Sequence, residues 1–141
     1  MTKKILVAID GSENSFDGLY EAIDMAPKTH ADLNLISVVN DANLPTNIGV
    51  SYEPDLTEQL QKDAEFNLRK AESIVDNSGL KCKIRVLYGE PQDEIIDYAS
   101  KHKVSLIIMG KCRARGVERI LTHSVGNFVV NHTKINTLIV N

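Results

Sequence analysis

No stretch of this sequence approaches the ~20 consecutive apolar residues that a membrane-crossing helix requires. The opening, MTKKILVAIDGS, has only five apolar residues between Lys4 and Asp10, too short a run for a secretory leader. The expectation is a cytoplasmic protein with no membrane contact. Cysteine is also scarce: Cys82 and Cys112 are the only two, with neither metal-ligand spacing nor the makings of a disulfide framework. A basic surplus is missing as well, since the formal net charge is −3, which argues against a general nucleic-acid binder.

Several phosphate-site signatures are absent too. Gly116 is followed by Val117 and Glu118, so no G-x-x-x-x-G-K-[ST] loop can be drawn. IDGSENS stands where a dinucleotide fold would place G-x-G-x-x-G after its first strand. A phosphorylated receiver domain would need an acidic pair there, and Asp10 stands alone.

What is present is ordinary globular composition, 43% hydrophobic and 25% charged over 141 residues, read as one domain spanning 1–141. ILVAI at 5–9, LNLISVV at 33–39 and VSLIIMG at 104–110 are continuous apolar runs, as expected of strands covered on both faces. KCKIRVLYG at 81–89 instead alternates, with Lys83 and Arg85 on one side; that pattern predicts an edge strand. NTLIV closes the series as a last strand and a second sheet edge.

Helical periods fill the gaps. Ser12 and Ser15 are placed to cap a helix carrying Phe16, Leu19, Ile23 and Ala26 on one face. A long helix through Leu60, Leu68 and Val75 ends at Gly79, a third has Pro91 in its first turn, and SVGNFVVNH is a fourth. Strands alternating with helices imply an α/β fold, a doubly wound parallel sheet with helices on both faces. Such a sheet binds ligands beyond the carboxyl ends of its strands, here near Asp10 and Gly110. Residues 40–53 have turn chemistry and read either as a flap beside that site or as a surface insertion.

The segment GKCRARGVERILTHSVGN, 110–127, concentrates Lys111, Arg113, Arg115 and Arg119. Arginine forks suit phosphate oxygens; a solvated basic segment is the plainer alternative. Cys112 sits among these cations, which can lower a thiol's pKa, but an incidental cysteine in a loop is the favoured reading. His30, His102, His123 and His132 are scattered, and no catalytic constellation emerges, so the chain is read as a non-enzyme.

Three pieces in order, KKILVAIDGSENS, YGEPQDEIIDYA and LIIMGKCRARGVERILTHSVGNFVVNHTKINTLIV, resemble the universal stress protein family over nearly the whole chain. The resemblance implies an adenine-nucleotide α-hydrolase-like sheet of five strands in the order 3-2-1-4-5. It also implies a nucleotide pocket at Ala8, Asp10, Val38, Met109, Gly110, Arg113, Ser124, Val125 and Gly126. Family members that bind ATP carry G-x2-G-x9-G-[ST]; here only Gly110 and Ser124 match, with Arg113 and His123 in the other glycine positions. Those glycines let backbone amides approach phosphates, so the motif departs where close approach matters most. By resemblance the chain forms a homodimer through Thr137, Leu138, Ile139 and Val140. The expected function is stress-response regulation through an unidentified protein partner. The alternative is sensing of ATP, AMP or a cyclic nucleotide, with Mg²⁺ as a possible companion, through Asp10, Gly110, Arg113 and Ser124.

Overall fold

A computed structural model describes residues 3–40, 54–111 and 125–141. The elements run β1 (Lys3–Ala8), α1 (Glu13–Thr29), β2 (Ala31–Val39), α2 (Pro54–Asn77), β3 (Cys82–Tyr88), α3 (Pro91–Lys101), β4 (Leu106–Gly110), α4 (Val125–His132) and β5 (Asn136–Val140). All strand pairs are parallel and the order is β3-β2-β1-β4-β5. This is the five-stranded 3-2-1-4-5 sheet that the resemblance implied.

Local chemistry accounts for the boundaries. Ser12 has extended backbone and its Oγ accepts from the Ser15 amide at 3.2 Å, which satisfies one of the open N–H groups at the start of α1. The helix ends on His30 in the left-handed region at φ 53°. After α2, Gly79 turns the chain at φ 81°, a conformation open to glycine at no steric cost. Pro91 opens α3, where its missing N–H removes no helical bond.

The sheet separates two cores. On one face α1 and α2 cover Ile5, Val7, Leu33 and Leu35, with Leu19, Leu68 and Val75 packed against them. On the other, α3 and α4 cover Leu6, Ile36 and Ile107 with Ile95, Ala99 and Val129. Burying each of these large side chains contributes about 1.5–3 kcal/mol before conformational entropy is charged. Adjacent residues of β1 thus feed opposite cores, which is why its apolar run is unbroken.

The two sheet edges differ. Lys83 and Arg85 of β3 are exposed while Ile84 and Val86 are half-buried, as the alternation predicted. Leu138, Ile139 and Val140 of β5 are all half-buried and carry no charge.

Candidate functional site

Beyond β1 the chain turns through Asp10 and Gly11, the latter at φ 87°. The Asp10 Oδ1 accepts from the Ser12 amide at 2.9 Å and from the Ser12 hydroxyl at 2.5 Å. Ser12 in turn caps α1, so Asp10 holds the residue that holds the helix. Its carboxylate is exposed and only Oδ1 is engaged in these bonds.

Gly110 ends β4 directly beneath the first turn of α1. A methyl group there would overlap the Asn14 carbonyl and stand 2.7 Å from the Ser15 nitrogen. Gly18, one turn further along α1, is also close-packed, its missing Cβ only 3.4 Å from Ile108 Cγ2 and 3.5 Å from the Gly110 nitrogen. The helix therefore lies on β4 through two glycines. Asn14 also ties the strand end from its side chain, donating Nδ2 to the Lys111 carbonyl at 2.5 Å, while the Lys111 amide donates to Val140 at 2.7 Å. The first residue of the basic segment is thus held from both sides.

Among the sequence-predicted site residues, Asp10 and Gly110 come together at the ends of neighbouring strands β1 and β4. Ala8 and Val38 are half-buried and line the α3 side of the sheet. Met109 is 6% exposed and packs within that core. Val125 and Gly126 start α4, and a Cβ on Gly126 would make only an ordinary 3.4 Å contact with Ile139. Cys112, Arg113, His123 and Ser124 lie outside the described residues, as does most of 40–53. Asn14 was missed because its partner is 97 positions away in sequence. Asn67 was missed likewise: its side-chain nitrogen would stand 2.6 Å from a Cβ on Gly11, so α2 abuts the turn after β1.

The described histidines each serve a helix end. His30 caps α1; His102 stacks on Tyr98 at 4.0 Å; and His132 stacks on Phe128 at 3.9 Å, its Nδ1 2.8 Å from the Phe128 carbonyl. A ring nitrogen in that position acts as donor to the carbonyl one turn back, a structural duty at the end of the helix. The Cys82 thiol is pushed up to about 11 by burial and then by Glu72 and Asp76, which makes it a poor nucleophile at neutral pH. No group of three or more His, Cys, Asp or Glu is placed to hold a metal among the described residues. No described helix is long and apolar enough to cross a membrane.

The model of the universal stress protein family matches residues 1–141. The universal stress protein MJ0531 of Methanocaldococcus jannaschii is 31% identical, over 98% of this chain and 81% of its own length. Among solved structures, the hypothetical protein MJ0577 superposes with a TM-score of 0.84 at 25% identity, covering 99% of this chain and 96% of that one. A universal stress protein solved in complex with cAMP superposes with a TM-score of 0.70 at 22% identity, over 99% and 96% of the two chains.

Proposed function

The chain belongs to the universal stress protein family, and on that premise we propose that it acts without catalysis, as a regulatory module that pairs with itself along β5 and holds partner proteins. The character of β5 carries this reading. The Val140 carbonyl accepts from Lys111, so Val140 turns its backbone toward β4. Alternation along the strand then leaves the amides and carbonyls of Thr137 and Ile139 on the free edge. An uncharged edge with half-buried Leu138, Ile139 and Val140 is suited to a second copy of itself. Asp10 and Gly110 have structural duties that need no ligand, so their presence does not call for a nucleotide.

Sedimentation equilibrium checks the pairing. The wild-type protein should be dimeric at micromolar concentration. Thr137→Pro removes an amide that points away from β4, and proline is tolerated at such an edge position. This variant should be monomeric with its fold retained. A wild-type monomer at ~100 µM, or a Thr137→Pro dimer of unchanged affinity, would overturn the reading.

A second reading has its own observation: the Asp10 carboxylate is exposed just beyond β1, the strand that pairs with β4, and its Oδ2 is not used by Ser12. An adenine nucleotide such as AMP, cAMP or ATP with Mg²⁺ is the ligand this reading takes, in keeping with the relative solved with cAMP. In that case the arginines of the basic segment stand in for the glycine amides. Ligand at ~100 times its Kd stabilises by about 2.7 kcal/mol. The thermal midpoint should then rise with one nucleotide, and the rise should vanish in Arg113→Ala. No shift at millimolar nucleotide removes the second reading and leaves the first.

A further inference from the structure

Among the described residues β3 ends the sheet with no strand on its outer side, and its cationic side chains distinguish it from β5 in a way that selects its occupant. We propose that β3 is a docking edge for an extended acidic segment of a partner protein, which adds to the sheet with its carboxylates over Lys83 and Arg85. This deepens the partner-holding reading above and rests on it, but uses the opposite edge of the sheet.

The Gly89 amide donates to the Val39 carbonyl at 3.0 Å, so Gly89, and by alternation Leu87 and Arg85, turn their backbones toward β2. The amides and carbonyls of Ile84 and Val86 are left for the free edge. A strand added there receives main-chain bonds from those residues, the usual source of affinity in strand addition. Side chains then set the sequence it needs. Lys83 and Arg85 are exposed, while Ile84 and Val86 are half-buried toward the α2 side. A segment of alternating acidic and apolar residues meets both faces at once.

Positive charge extends inward from the edge. Lys4 lies on the α3 face of β1, two residues before Leu6, and Lys101 ends α3. His102 is held below its usual range by desolvation, then by Lys4, Arg85, Lys101 and Lys83, so cations from three elements converge on one place. Asp32, in register with Lys4, and Asp97, one turn before Lys101, are the exposed acids nearby. The ion pairs found among the described residues lie on α1 and α2 and engage none of these charges.

Charge also excludes the rival occupants. A second copy of β3 would set Lys83 and Arg85 against their own counterparts, and like charges across a strand pair repel. Blunting an edge needs only the edge residues, whereas Lys4 and Lys101 stand back from it and enlarge the field. A flexible polyanion would use the cations but leave the Ile84 and Val86 amides unpaired.

Anisotropy of a dye-labelled peptide alternating glutamate and valine tests the proposal, beside a peptide of the same composition in scrambled order and a single-stranded DNA of equal charge. The alternating peptide should bind best, and amide exchange at Ile84 and Val86 should slow in the complex. Lys83→Glu with Arg85→Glu should weaken binding by about tenfold or more, and Lys101→Glu, away from the edge, should weaken it less. The His102 titration midpoint should rise as carboxylates arrive. Equal binding of the scrambled peptide, tighter binding of the DNA, or unprotected Ile84 and Val86 amides would each overturn it. Sedimentation of the same variants separates the two edges: the β5 dimer persists when only the peptide is lost, and Thr137→Pro retains the peptide.

Discussion

Gly110→Ala is expected to lower the thermal midpoint of the ligand-free protein by about 10 °C. The added methyl meets backbone on both sides, the Asn14 carbonyl and the Ser15 nitrogen at 2.7 Å, and neither can rotate away. Relief requires α1 to lift from β4, which opens the close contact at Gly18 and strains the Asn14–Lys111 bond. Overpacking of this kind costs about 3 kcal/mol where the neighbours cannot yield, and for a chain of this size that is roughly 10 °C. Gly126→Ala is the matched control, because its Cβ makes an ordinary contact at 3.4 Å inside α4. It should be neutral or raise stability by about 0.5 kcal/mol through helix propensity. If Gly110 serves only a phosphate, the ligand-free midpoint will not move and nucleotide affinity alone will fall. Differential scanning with and without nucleotide distinguishes these cases directly.

The second large effect is Leu6→Ala, expected to cost about 2–5 kcal/mol by urea unfolding. Leu6 is fully buried in the core between the sheet and the helices α3 and α4. Its backbone is paired on both sides, with Asn34 of β2 and Ile107 of β4 in register. The strand therefore cannot shift to close the cavity, which places the cost toward the upper part of that range. Typical domains have only about 5–15 kcal/mol of total stability, so this one change removes a large share of it. Phe66→Ala, on α2 and 69% exposed, should change stability by less than about 0.5 kcal/mol. A Leu6→Ala cost below about 1 kcal/mol would mean the α3 face is not a tightly packed core.

Much of the architecture was legible in the sequence because it is encoded over short spans. Unbroken apolar runs marked β1, β2 and β4, and the alternation of 81–89 marked β3 as an edge. Boundaries were less legible. β2 begins at Ala31, ahead of its apolar run, because Lys3 and Lys4 of β1 pair with Ala31 and Asp32. β4 begins at Leu106, two residues late, because the Val104 amide is still bonded back to Ala99 and the Ser105 hydroxyl bridges to Lys4. Both shifts come from partners on another element, which no local pattern records.

The candidate site was read unevenly for the same reason. Asp10 and Ser12 were visible as turn and cap, since their bonds span only a few residues. Gly110 was legible as the glycine that closes an apolar run, and the resemblance implied a place for it in a nucleotide pocket. Its packing against Asn14 joins positions far apart in the chain. Period, capping chemistry and glycine placement act within a turn or a strand, and from them alone came the α/β class, the helix starts and the charged edge. Proximity across the sheet settled the rest: why Gly110 must be glycine, which backbone groups each edge leaves open, and that Lys4, Lys83, Arg85 and Lys101 share one field. Those depend on strand order and register, which are set by burying both faces of the sheet at once and so exist only in the folded chain.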